Sequence, residues 1–250
     1  MSKQAFKQAI ASAAGRIEDP LANWMRPPRD ECPICLITLP LSEDGFFYKA
    51  CCGIDICVGC IYDTAIHDIG VYKCPFCRHE DHFDNHIVNI EEHMKLAKAG
   101  RPRAMMHVGT CYLKGRGVKQ DKGEAIKLFR QAAEVGNGTA AQNLAICYWE
   151  GVGVNKDLDL ALKYCETAAE LGNYNAYYSA AVILMEMGDI EESTTNLRKA
   201  AMCGVSKADI FEKLRYGYKC GLINENEYAF TLREYQKASN EMKSEAREKF

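Results

Sequence analysis

From about Asp84 to the C-terminus, apolar residues recur three and four positions apart, and no stretch alternates as a half-buried strand would. That pattern predicts helices throughout. Residues 104–114 place Ala104, Met105, Val108, Cys111 and Tyr112 on one helical face. Gly115 and Gly117 then form a loop, since glycine takes positive φ without steric penalty. Asp121 stands where an N-cap belongs, and Ala125, Leu128, Phe129, Ala132 and Ala133 form the inner face of a second helix. The small Ala132–Ala133 pair permits close helix approach, and Gly136 is placed to end the unit in a left-handed conformation.

This unit repeats. An offset of 36 superposes Ala104, Tyr112, Gly115, Gly117, Asp121, Ala125, Gly136 and Asn137 on Ala140, Tyr148, Gly151, Gly153, Asp157, Ala161, Gly172 and Asn173. A third copy begins at Ala176, lacks four residues and the glycine loop, and resumes at Ala200, Ala201 and Gly204. A more degenerate fourth copy begins at Ala208, and residues 85–98 read as half a repeat. Helix–loop–helix units of this period cannot bury their apolar faces alone, so they stack. The pattern AMMHVGTCYLKGRGVKQDKGEA…AAEVG, then AAQNLAICYWEGVGVNKDLDLA…AAELG, resembles the Sel-1-like repeat, a relative of the tetratricopeptide repeat with a longer interhelical loop. The resemblance covers roughly residues 85–240 and implies an all-α solenoid.

Upstream the chemistry changes. Of thirteen cysteines, eight lie between Cys32 and Cys77, as Cys32-x-x-Cys35, Cys51-Cys52, Cys57-x-x-Cys60 and Cys74-x-x-Cys77. A Cys-x-x-Cys pair presents two thiolates to one tetrahedral zinc, and eight thiolates suffice for two closed sites. A segment this short cannot fold on an apolar core alone, and zinc can supply the deficit. Asp55 is the weaker alternative to Cys51 as a ligand. An odd cysteine total and the lack of a secretory h-region oppose a disulfide scaffold and favour a reducing intracellular compartment, cytoplasmic or nuclear.

The order ECPICL, CCGIDICVGC, KCPFCR resembles a RING finger, the all-cysteine form, because Ile54 stands where the usual histidine would. The cross-braced family pattern implies Cys32, Cys35, Cys57 and Cys60 on one zinc, with Cys51, Cys52, Cys74 and Cys77 on the other. It also implies that Ile34 and Pro75 contact a ubiquitin-conjugating enzyme and that Arg78 positions the thioester-linked ubiquitin. Thr64 departs from the bulky aromatic often found there. The expected fold is therefore a small zinc-stabilised α+β RING domain (31–81) followed by an all-α array (84–240), with a lead-in (1–30) and a tail (241–250). This tandem is similar to RING–Sel-1-like proteins of unicellular algae. It implies a ubiquitin ligase whose repeats hold a protein substrate or adaptor. The rival is a non-catalytic scaffold.

Composition narrows the picture further. A hydrophobic share of 48% and a charged share of 26% are ordinary for globular chains, and the net charge of −3 opposes general phosphate-backbone binding. Residues 30–81 hold nine acids against three bases, which suits a basic partner surface. The longest apolar run, Ala180 to Met185, is far short of a membrane span. Residues 1–15 carry Lys3 and Lys7 with Phe6, Ile10 and Ala14 at helical spacing, which reads as a short amphipathic helix, with an organelle transit peptide as the weaker alternative. His79, His82 and His86 read as a solvated linker. Trp24 and Met25 read as docking on the RING. Cys111 and Cys147 read as small buried residues. His107, Gln142, Asn143, Tyr177 and Tyr178 are candidates for a partner-recognition face. Tyr174, Tyr177 and Tyr178 fit a recognition ridge or an inter-repeat seam equally well.

Overall fold

The computed structural model describes residues 21, 46–49, 54–57, 60, 90–205, 207 and 209–241. Two short strands precede the helices: β1 (Phe46–Lys49) and β2 (Ile54–Cys57) pair antiparallel, with Phe46 opposite Cys57 and Lys49 opposite Ile54. Ile56 in β2 is fully buried.

The first group of helices comprises α1 (Ile90–Lys98), α2 (Pro102–Lys114), α3 (Lys122–Glu134), α4 (Gly138–Glu150) and α5 (Leu158–Glu170). Each packs on its sequence neighbour, so α2 lies between α1 and α3, and α4 between α3 and α5. The two full units close their loops with the same backbone bonds. The Arg116 and Val152 amides donate to the Cys111 and Cys147 carbonyls, and the Asp121 and Asp157 amides donate to the Tyr112 and Tyr148 carbonyls. Gly115 and Gly151 cap α2 and α4 at φ 69° and 72°, a left-handed geometry that a Cβ would strain. Asp121 and Asp157 are the expected N-caps, accepting from the Glu124 and Leu160 amides at 3.0 and 2.9 Å.

Helix α2 is buried on more of its surface than one amphipathic face. Met106 and Gly109 join Ala104, Val108 and Cys111 in the core, whereas Met105 and Tyr112 are only half-buried. The physical reason is its position between two helices, which demands apolar positions on both sides. Gly109 permits the closest approach: a Cβ there would fall 2.7 Å from Phe129 Cε1, inside van der Waals contact. Phe129 is correspondingly inaccessible to solvent.

A second compact unit of helices runs from Tyr174 to Glu241. It holds α6 (Asn175–Met187), α7 (Ile190–Met202), α8 (Ile210–Lys219) and α9 (Glu225–Glu241). Helix α7 packs against α6, α8 and α9. Gly188 and Asp189 alone join α6 to α7, and Asp189 caps α7 by accepting from the Glu192 amide at 3.0 Å. Arg198 on α7 is 3% exposed, its Nε donating to Thr231 Oγ1 at 3.0 Å and its guanidinium to Glu227 Oε1 at 3.3 Å. Glu227 also closes a capping box at the start of α9: Glu227 Oε2 accepts from the Asn224 amide, and Asn224 Oδ1 from the Glu227 amide.

Candidate functional site

Of the eight cysteines assigned to zinc, Cys57 and Cys60 are described: Cys57 ends β2, and Cys60 is buried. Cys32, Cys35, Cys51, Cys52, Cys74 and Cys77 lie outside the described residues, as do Ile34, Pro75, Arg78, Thr64, Trp24, Met25, His79, His82 and His86. The β1–β2 hairpin brackets Cys51 and Cys52 in sequence and delivers Cys57 at its end. Thiolates are soft donors of the kind that structural zinc sites use.

Cys111, Cys147, Cys165 and Cys203 of the repeats are buried in the core, whereas Cys220 is exposed. Burial, and secondarily Glu150, pushes the Cys147 thiol up to about 11. Burial, helped by Glu166, pushes Cys165 up to about 12, and Cys111 is raised mainly by burial. Thiols held protonated in this way are poor nucleophiles and poor ligands.

The recognition candidates divide. The His107 ring meets His93 of α1 edge-on at 5.6 Å between centroids, tying α2 to α1. Burial, then the charges of His93 and Arg103, pulls His107 down from 6.5 to about 4. The neutral imidazole is therefore favoured in the folded state. Below pH 6.5 the unfolded chain takes up a proton that the folded chain refuses, so stability falls until about pH 4, by at most roughly 3 kcal/mol. His107→Gln should remove this loss. Urea midpoints for wild type and variant should converge near neutrality and separate towards pH 4.

Gln142 is engaged internally: its Oε1 accepts from Asn173 Nδ2 at 2.7 Å. Asn143 is half-buried on α4. Tyr174 is 1% exposed, and Tyr178 donates its hydroxyl to Asp209 Oδ2 at 2.7 Å while Lys213 Nζ sits 5.1 Å from its ring centre. Both therefore belong to packing rather than to an open ridge. Tyr177, half-buried, carries Lys199 Nζ 5.8 Å from its ring centre.

One feature of the repeats lay beyond sequence reasoning. Tyr148 and Tyr164 stack with centroids 5.6 Å apart, and the exposed Arg130 donates to the Tyr148 hydroxyl at 3.1 Å. The repeat motif supplies Tyr148, but Arg130 reaches it from another helix, so no local signal marks the pair.

Residues 102–137 and 138–173 match the Sel1 repeat family. The boundaries coincide with the helix pairs α2–α3 and α4–α5. Among solved structures, the Sel1 repeat protein from Oxalobacter formigenes is 24% identical over 60% of this chain and 63% of its own, with a TM-score of 0.50. The similarity identifies the fold as a helical solenoid of Sel1 repeats. The protective antigen c5321 of uropathogenic Escherichia coli, which displays an SLR fold, is 26% identical over 60% of this chain and 40% of its own, with a TM-score of 0.44. MamA is 14% identical over 60% and 86% of the two chains, with a TM-score of 0.41. No curated protein sequence matches the chain. Among the described residues, no helix is long and apolar enough to cross a membrane.

Proposed function

We propose that the chain is a RING-type ubiquitin ligase, or a ligase subunit, that engages a ubiquitin-conjugating enzyme at residues 31–81 and a protein partner through its Sel1 repeats. The repeats suggest a protein–protein interaction scaffold, which is the coarser reading. The finer one is carried by a single observation: four cysteine pairs in RING order, with the β1–β2 hairpin bracketing the second pair and ending on the third.

In this reading Cys32, Cys35, Cys57 and Cys60 hold one zinc, and Cys51, Cys52, Cys74 and Cys77 the other. The metal supplies structural cross-links and takes no part in bond making. Ile34 and Pro75 give an apolar contact to the conjugating enzyme, and the Arg78 guanidinium orients the ubiquitin carried on its thioester. The substrate's lysine amine attacks that thioester directly, forming an isopeptide bond as the C–S bond breaks and the conjugating enzyme's cysteine leaves as the thiol with the amine's proton, so no covalent intermediate forms on this chain. The acidic balance of residues 30–81 favours a basic partner face.

Autoubiquitylation against a panel of conjugating enzymes tests the proposal. Ile34→Ala removes apolar contact and should weaken conjugating-enzyme binding by roughly tenfold, about 1.4 kcal/mol, with zinc retained. Arg78→Ala should slow transfer more than it weakens binding. A wild-type chain inert with every conjugating enzyme, or two variants as active as wild type, leaves the scaffold alone.

A further inference from the structure

The turn between α6 and α7 departs from its counterparts. In the first two units, residues 115–121 and 151–157 join the helices, Leu113 and Trp149 are half-buried, and Gln120 Nε2 donates to the Leu113 carbonyl at 2.8 Å. In the third unit, only Gly188 and Asp189 separate the helices. Met185, one period after Trp149, is 41% exposed, Met187 43% and Ile190 41%. Each residue from Met185 to Glu192 is exposed. The short turn thus carries three exposed apolar side chains, and Met185 is exposed where its counterpart Trp149 is half-buried.

The same eight positions hold Glu186, Asp189, Glu191 and Glu192, and the chain has neither Lys nor Arg from Tyr164 to Leu197. On α7 the nearest cations are committed elsewhere. Arg198 is buried against Thr231 and Glu227, and Lys199 approaches Tyr177, about 13 Å along the helix from Ile190. An exposed apolar patch rimmed by one sign of charge marks an interaction site, and methionine adapts readily to varied apolar partners. An anionic membrane surface would be repelled by this rim.

We propose that the α6–α7 turn docks a basic amphipathic helix of a partner protein. Its apolar face covers Met185, Met187 and Ile190, and its Lys and Arg side chains meet Glu191 and Glu192. The inference rests on reading the repeats as a protein-binding module and is independent of zinc and ubiquitin.

The test uses the full chain and a labelled Leu/Lys amphipathic peptide of about 18 residues, five helical turns, against a Leu/Glu peptide of the same pattern. Wild type should bind the Lys peptide and not the Glu peptide. Met187→Ser with Ile190→Ser should weaken binding by roughly tenfold or more, the loss expected on removing two apolar anchors. Glu191→Gln with Glu192→Gln should weaken it several-fold and flatten its salt dependence. Glu134→Gln with Glu170→Gln, both exposed on other helices, should leave affinity within about twofold. Circular dichroism verifies that each variant is folded.

Equal losses in the control pair would overturn the proposal in favour of diffuse acidic attraction. Patch-dependent binding that strengthens markedly when residues 1–19 are deleted would assign the patch to this chain's own N-terminal segment. A dimer that dissociates in Met187→Ser/Ile190→Ser would assign it to a second copy. Either result overturns the proposal. A partner of the repeats whose capture survives the patch variants overturns this site alone, whereas absent ubiquitylation overturns the ligase reading alone.

Discussion

Stripping zinc from the chain is expected to unfold residues 31–81 while the helices from Ile90 to Glu241 keep their helicity. A segment of this length buries too little apolar surface to offset its own ordering entropy, and each structural zinc contributes an apparent ~10–16 kcal/mol near neutral pH. The helices have cores of their own, with Phe129, Leu144, Ile183 and Leu214 almost inaccessible to solvent. Elemental analysis of reduced protein should find two zinc ions per chain. After chelation, the far-ultraviolet helical signal should persist while the eight clustered thiols become reactive. Cys147 and Cys165 should stay slow, because burial keeps them protonated. Cys52→Ala should reproduce the effect of chelation on residues 31–81. One zinc or none in carefully reduced protein would refute the two-site assignment.

Arg198→Ala is expected to cost about 3–5 kcal/mol, the range for removing one partner of a buried ion pair. The cost arises from what remains. Glu227, 14% exposed at its side chain, would keep a carboxylate beside an empty volume, and the Thr231 hydroxyl, which donates to the Glu227 carbonyl, would lose its donor. The loss should concentrate where α7 meets α9, so hydrogen exchange should accelerate in α9 before α2–α5. Pairing Arg198→Met with Glu227→Gln should recover most of the stability. Glutamine retains an oxygen for the Asn224 amide, and the unpaired charge is gone. A double variant as unstable as Arg198→Ala would mean that packing, rather than charge, sets the cost.

Much of the helical array was legible because its requirements are local. A loop that turns through positive φ needs glycine at Gly115 and Gly151. A helix entered from extended backbone needs a side-chain acceptor, and Asp121 and Asp157 supply it. Such demands recur at a fixed offset, so aligning the chain with itself exposes them. The single face read from periodicity does not include Met106, which is buried because two neighbours flank the helix. Periodicity reports how much of a helix is apolar, but not how many partners surround it.

The tyrosines mark the other limit. Tyr177 and Tyr178 stand side by side in sequence, yet Tyr178 is tied to Asp209 by its hydroxyl while Tyr177 faces Lys199. The Tyr178 hydroxyl takes the partner presented at the start of α8, which lies 31 residues away. The same holds for Arg198, whose burial could not be guessed from a polar position on α7 until α9 supplied Glu227 and Thr231. By itself, the sequence determined the repeat period, the loops and the caps, since each is written in residues close together along the chain. Only the tertiary structure decided which polar side chains are consumed by packing and which apolar ones are left uncovered at Met185, Met187 and Ile190. Burial is a property of neighbours, and neighbours across helices are set by how the units stack.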